Sequence, residues 1–290
     1  MEELDIFKQR KEKSEKSIII GGILLVLGIA LFVLLQNIMV LGIIIALPGI
    51  VFLAMGFTKF QKLSDEFKEK VMKKLIEDLI EDGVYNPKFG LSMSHVYSSE
   101  FVRRADRDHT EDYISGVIDG VKFESSDVKL EEKHVRHTKN GTQTTWETYF
   151  LGRIFIFDFN KKFDGYIQVL ENNRPHSNRK FKKVKLESVA FNKKFNTYST
   201  SEHSAFYVLT PHFMEALMNF EKNNRGKIYF SFIDNLLYIG INNMRDTFEL
   251  RMFKTLDERT LDEFKNELLV IKDVIHELKL NNKLFMKEWF

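Results

Sequence analysis

From Ile18 to Phe57 the chain is apolar at nearly every position, interrupted only by Gln36-Asn37 within LFVLLQNIMVLGIII. A single helix over this run would be roughly 60 Å long, about twice the thickness of a bilayer's hydrocarbon core. Divided at the two amides, it becomes Ile18–Leu35 and Ile38–Phe57, each close to one bilayer thickness. Asn accepts turn geometry, and both amides favour water or headgroups over hydrocarbon. The pattern predicts a helical transmembrane hairpin with its tip at Gln36-Asn37. Lys8, Arg10, Lys11, Lys13 and Lys16 precede the first span, Lys59, Lys62, Lys68 and Lys70 follow the second, and the tip is uncharged. Both ends of the chain are therefore expected in the cytoplasm. The first apolar stretch is longer than a signal-peptide core and lacks a small-x-small cleavage site before Gln36. Gly21 and Gly28 on one span, and Gly42, Gly49 and Gly56 on the other, recur every seven residues. Each set forms a smooth stripe suited to close packing of membrane helices, although Gly is common in such helices generally. Neither span holds an ionisable residue, which argues against a transport path through the hairpin alone.

Beyond the spans the period changes. Phe60, Leu63, Phe67, Val71, Leu75 and Leu79 recur every three or four residues, predicting an amphipathic helix that ends at Gly83. Residues 84–112 read as a turn at YNPKFG and a polar connector. Alternation then favours strands: GVIDGVKFESSDVKLEEKHVRH, an Asn140-Gly141 hairpin signal, TWETYFLGRIFIFDF returning, a turn at NKKFDG, and FDGYIQVLE behind it. AFYVL reads as a strand, GKIYFSFIDNLLYIGIN as a strand pair about Asp234-Asn235, and FELRMF as an edge strand. A final helix, capped by Thr255 or Asp257, aligns Leu261, Phe264, Leu268, Ile271, Ile275 and Leu278. Strands followed by helices, without βαβ alternation, predict an α+β fold with a mainly antiparallel sheet, which a pleckstrin-homology-like barrel would accommodate. The expected divisions are a basic N-terminus (1–17), the transmembrane hairpin (18–57), a juxtamembrane helix and connector (58–111), and a cytoplasmic α+β domain (112–290).

Composition narrows the chemistry. The net charge of +2 in a chain with 29% charged residues argues against a dedicated nucleic-acid binder. The absence of cysteine removes disulfides, thiolate metal sites and thiol nucleophiles. No phosphate-binding glycine loop or nucleophile elbow occurs, and no cofactor is implied.

One segment carries a resemblance. EDYISG, FLGRIFIFDFNKKFDG and ESVAFNKKFNTYSTSEHSAFYVLTPHFMEALMNF occur in the order found in a bacterial family known as domain of unknown function 3137. The matching residues include Asp112, Gly116, Gly152, Arg153, Phe155, Phe163, Gly165, Glu187, Phe191, Asn192, Phe195, Tyr198, Ala205, Leu209, Thr210, Pro211, Met214 and Leu217. The resemblance implies a membrane-anchored cytoplasmic domain in a bacterial cell membrane and no particular activity. The residues read equally well as structure: Phe191, Phe195 and Tyr198 bury aromatics in a short helix or turn, and Thr210-Pro211 starts a helix.

Candidate sites are sparse. His134 and His137 would point to opposite faces of a strand, so no metal site is assigned. Asp112, Asp127, Asp158 and Asp164 could gather as carboxylates, but Asp in turns more often serves the backbone. Asp112, Glu187 and Asn192 form the candidate polar site. Arg174, Arg179, Lys180, Lys182, Lys183 and Lys185 form a basic loop. In a membrane-tethered domain its natural partner is anionic lipid headgroups, at about 1 kcal/mol per basic residue, while a solvated loop explains it as well. The leading functional expectation is a non-enzymatic, membrane-anchored binding or scaffolding module for a protein partner or the inner leaflet. The alternatives are an enzyme assembled from the scattered polar residues, and an accessory or homo-oligomeric subunit joined through its glycine stripes.

Overall fold

The computed structural model describes residues 2–34, 39–139, 141–158, 164–278 and 280. The hairpin tip at Gln36-Asn37, Asn140 of the hairpin signal, and residues 160–163 of the NKKFDG turn lie outside the described residues. Residues 1–72 with 248–266 form one compact unit, and residues 73–247 with 267–290 form another.

In the first unit, α1 (Glu2–Leu34) and α2 (Met39–Phe67) run antiparallel, and both are long and apolar enough to cross a membrane. Their glycines face each other. A Cβ added at Gly28 would lie 2.6 Å from the Ala46 nitrogen and the Gly42 carbonyl oxygen, and one at Gly21 would lie 2.6 Å from the Leu53 nitrogen. Gly49 meets Leu25, and Gly56 meets Ile18, at the same close range. The stripes are thus used within the chain, where they let two backbones touch. On the faces turned away from this seam, Ile23, Val26, Val33, Leu34, Val40, Ile44, Leu47 and Val51 are exposed. Both helices continue past the apolar run, held by a two-pronged Arg10–Glu66 pair at 2.6 and 3.1 Å and an edge-on Phe7–Phe67 contact. Phe264 joins this cluster against Phe67 and Phe248. The edge strand expected at FELRMF is irregular chain instead. Phe248 and Phe253 both have left-handed φ (+56° and +59°), which breaks an extended run.

The amphipathic helix expected over 60–79 is interrupted. After α2 comes a π-helical turn, Lys68–Met72, and then α3 (Lys73–Leu79). The turn inserts one residue, which rotates the following face by one position. The buried stripe is accordingly Phe60, Leu63, Phe67, Met72, Ile76 and Ile80, while Leu79 is exposed. The chain turns into a strand directly after α3, with Gly83 inside it rather than ending the helix.

In the second unit, nine strands among the described residues form one antiparallel sheet: β1 (Glu81–Asn86), β2 (Arg107–Ile118), β3 (Val121–Thr138), β4 (Gly141–Asp158), β5 (Ile167–Glu171), β6 (Lys182–Val184), β7 (Phe195–Ser199), β8 (Lys227–Ile233) and β9 (Leu236–Asn242). Their order is β1-β2-β3-β4-β9-β8-β5-β7-β6. This is the α+β class. Among the described residues, β1 and β6 each pair with one strand, so the sheet is an open array at both ends. The connector holds α4 (Met93–Ser98), capped by Ser92; its Val96 packs with Phe101, Leu130, Phe150 and Ile154 on one face of the sheet. α5 (Val189–Lys194) leads into β7, packing Phe191 against Phe195 with the rings tilted at 43° and their centroids 5.1 Å apart. AFYVL lies in a helix, α6 (Glu202–Val208), because the Ser201 hydroxyl caps it by accepting from the Ser204 N–H. α7 (Pro211–Asn223) starts at Thr210 and buries Met214, Leu217 and Phe220. α8 (Glu258–Glu277) is capped by the Asp257 carboxylate, which accepts from the Thr260 N–H at 3.0 Å.

Candidate functional site

The densest buried polar group is built on β2, β3 and β4. The β2–β3 register slips between Glu111 and Ile114, and Asp112 occupies the slip with φ +54°. Its carboxylate, fully buried, accepts from the Tyr85 hydroxyl of β1, and its carbonyl accepts from an Arg153 Nη2 at 3.1 Å. Arg153 lies in β4 among Phe150, Ile154, Phe155 and Phe157, where a cation must find partners. Its Nε donates to the Asp127 Oδ1 at 2.8 Å, and the other Asp127 oxygen accepts from the Thr247 N–H at 3.0 Å. Burial pushes the Asp127 carboxyl up, opposed by the Arg153 guanidinium. Burial, followed by the nearby Asp112 charge, likewise raises the Tyr85 phenol.

Asp112, Asp127 and Asp246 each offer a carboxylate oxygen within 4.8 Å of the others. An all-oxygen set would suit a hard divalent cation. However, both Asp127 oxygens already accept hydrogen bonds, one of them from a guanidinium whose charge opposes a second cation. The arrangement works as a lock instead: one arginine ties the bulge of β2 to β3 and β4, and Asp127 ties the chain leaving β9. The signal for it in the sequence is a lone arginine inside the apolar FLGRIFIF. Tyr85 and Asp246 carry no such signal, because their place depends on how distant strands pair.

Glu187 is exposed, and Asn192 spends its amide on its own turn, donating to the Leu186 and Ser188 carbonyls and accepting from the Leu186 N–H. Five strands separate β2 from β7 in the sheet order, so Asp112 stands apart from the other two. Of the four aspartates considered, only Asp112 and Asp127 meet; Asp158 and Asp164 are exposed at strand and turn ends. His134 pairs with Glu147 at 2.9 Å, while His137 approaches Thr142, its cross-strand neighbour. In the basic loop all six side chains are exposed. Arg179 is nevertheless held by Glu100 at 2.7 Å and stacks on the Tyr166 ring at 3.6 Å, and Lys183 donates to Asn196. Arg174, Lys180, Lys182 and Lys185 project around the outer strand β6, where lysines also discourage edge pairing. A depression of about 420 Å³ lies on the α4 face, lined by His95, Tyr113, Lys122, Glu124, Ile156 and Tyr238 among others.

Residues 148–280 match the family model described as protein of unknown function, DUF3137. No curated protein matches the chain. Among solved structures, the mycobacterial trehalose monomycolate transport factor A, TtfA, is similar at 8% identity and a TM-score of 0.39, over 71% of this chain and 93% of that one.

Proposed function

We propose that this chain, whose residues 148–280 belong to the DUF3137 family, is a membrane-anchored cytoplasmic module that binds rather than catalyses. The observation carrying the proposal is the apolar belt of α1 and α2. Among the described residues between Ile19 and Phe57, large apolar side chains stand exposed on the faces away from the glycine seam, with Leu34 at 77% and Val40 at 70% exposure. Leaving one such side chain in water forgoes roughly 1.5–3 kcal/mol, so a belt of this extent calls for lipid. The lysine-rich flanks and uncharged tip favour both ends on the cytoplasmic side. A binding role is supported by the buried polar centre, whose hydrogen bonds are turned inward on the fold, and by the exposed cations of Arg174, Lys180, Lys182 and Lys185. Their chemistry fits anionic headgroups or an acidic protein face at the inner leaflet. Alkaline carbonate extraction of cell membranes tests the anchor. The chain should stay with the membrane pellet, and release into the supernatant would overturn the reading.

A further inference from the structure

β3 and β4 are longer than the sheet that contains them. β2 pairs with β3 no further out than Glu131, and β9 pairs with β4 no further out than Gly152. Beyond those pairs, among the described residues from Glu132 to Glu147, the two strands pair with no third strand. They form a ribbon roughly 23 Å long at about 3.3 Å per residue, tied at its base where the Lys133 N–H donates to the Asp106 carboxylate at 2.8 Å and Arg103 donates to Glu132. Two-stranded ribbons are marginal in water by themselves, so its side chains say what completes it. Between Lys133 and Trp146 there is no carboxylate, but there are Lys133, Arg136, Lys139, His134 and His137; Glu132 and Glu147 at the base lie on the face opposite Trp146 and pair with Arg103 and His134.

Cross-strand pairing sorts the faces. Lys133 stands opposite Trp146, Val135 opposite Thr144, and His137 opposite Thr142, so these share one face; Arg136 and His134 point to the other. On the first face Trp146 and Val135 are 39% and 45% exposed. Arg107 stacks on the Trp146 ring at 3.9 Å, which fixes the indole while leaving it open to solvent. The nearest acid on that face, Glu131, is already paired with Lys129 at 3.0 Å.

We propose that residues 132–147 form an arm that docks on an anionic lipid surface. Trp146 and Val135 seat at headgroup level, Lys133 meets the lipid phosphates on the same face, and Lys139 at the turn and Arg136 on the other face add attraction within a Debye length of the anionic leaflet. The inference rests on the membrane-anchored reading, which keeps lipid at high effective concentration around a site with few charges. Trp is the side chain favoured at membrane interfaces, and each basic residue near an anionic leaflet contributes independently. A nucleic acid fits less well, since it would find one stacking aromatic and three fixed cations. Pairing with a second copy through the ribbon would bring like charges together.

The test uses the full chain with Trp289→Phe, leaving Trp146 as its tryptophan, held in phosphatidylcholine nanodiscs. Vesicles of brominated phosphatidylglycerol or brominated phosphatidylcholine are added, and the same lipids are built into the discs in a second series. Trp146 emission should be quenched by the anionic lipid in at least one series and not by phosphatidylcholine. K133Q/R136Q/K139Q should weaken that response about a hundredfold, the equivalent of about 3 kcal/mol. The charge-keeping K133R/R136K/K139R should preserve it, which separates charge from folding. Quenching by neither lipid, equal quenching by both, or indifference to the Gln variant would overturn the proposal. So would an emission change with duplex DNA or poly-glutamate but none with anionic lipid. Loss of the chain from discs or from carbonate-washed membranes would fault the anchor instead, with the vesicle series still reading the arm.

Discussion

Replacing Arg153 by Met removes a buried cation and leaves its partners in place. The Asp127 Oδ1 loses its 2.8 Å donor, and the Asp112 carbonyl loses its 3.1 Å donor, both inside a region closed to water. Breaking one side of a buried ion pair costs about 3–5 kcal/mol, because the other charge stays desolvated. For a unit of this size each kcal/mol lowers the midpoint by about 2–4 °C, so R153M should melt roughly 6–20 °C below the parent. The companion variant D127N/R153M removes both charges and keeps an amide oxygen facing the Thr247 N–H. It should recover about 2 kcal/mol or more of the single-variant loss, as coupling in a double-mutant cycle. Thermal unfolding of the detergent-solubilised chain, followed by near-ultraviolet circular dichroism, reads both. A shift under about 3 °C for R153M, or losses that merely add, would refute the lock.

Three further perturbations separate parts of the structure. Gly152→Ala would place a Cβ 2.0 Å from the Ile241 carbonyl oxygen, so β4 and β9 must part; we expect about 3 kcal/mol or more of lost stability by the same melting assay, and a neutral substitution would contradict the register. Cysteines at Arg10 and Glu66, in a chain with none of its own, should be bridged within one molecule by a bismaleimide spacer, since the native contact is between the tips of long side chains, and adding Gly28→Leu should reduce that yield sharply. The His176 imidazole is held below its usual range by burial, followed by the Arg103 and Arg174 charges. A depressed histidine supports the fold above its unfolded value, near ~6.5, and that support is lost as pH falls below it. Amide protection factors in residues 174–179, corrected for the fall of the intrinsic exchange rate with pH, should therefore drop between about pH 7 and pH 5.5, and a His176 NMR midpoint at or above ~6.5 would contradict this.

The helices at the two ends of the chain were legible in the sequence because apolar spacing alone defines them. So were β3, β4, β8, β9 and the Thr210 cap. The π-helical turn was not: it leaves the three-to-four spacing intact, and only the burial of Met72 and Ile76 in place of Val71 and Leu75 reveals the shift. AFYVL is a short apolar run whose period fits either state, and the Ser201 cap decided it for helix. Asp112 stood among the candidate polar residues and Arg153 as a lone cation in an apolar strand, with nothing in the sequence to join them. Their joint role depends on strand register, which places a bulge of β2 beside β4 and which local pattern does not encode. Gly152 now has a physical reason beside Arg153: the first lets β9 approach, and the second locks β2 and β3. Glu187 and Asn192 drew attention because the family resemblance runs through them, yet the turn uses Asn192 for its own backbone.

We propose above all that the hairpin carries the rest of the chain on the cytoplasmic side. A paired topology reporter inserted at Asn37, with a matched insertion in the loop after Asn173, measures this directly. Phosphatase activity without fluorescence is expected at Asn37, and fluorescence without phosphatase activity at Asn173. A cytoplasmic signal at Asn37, or the same side for both positions, would contradict it.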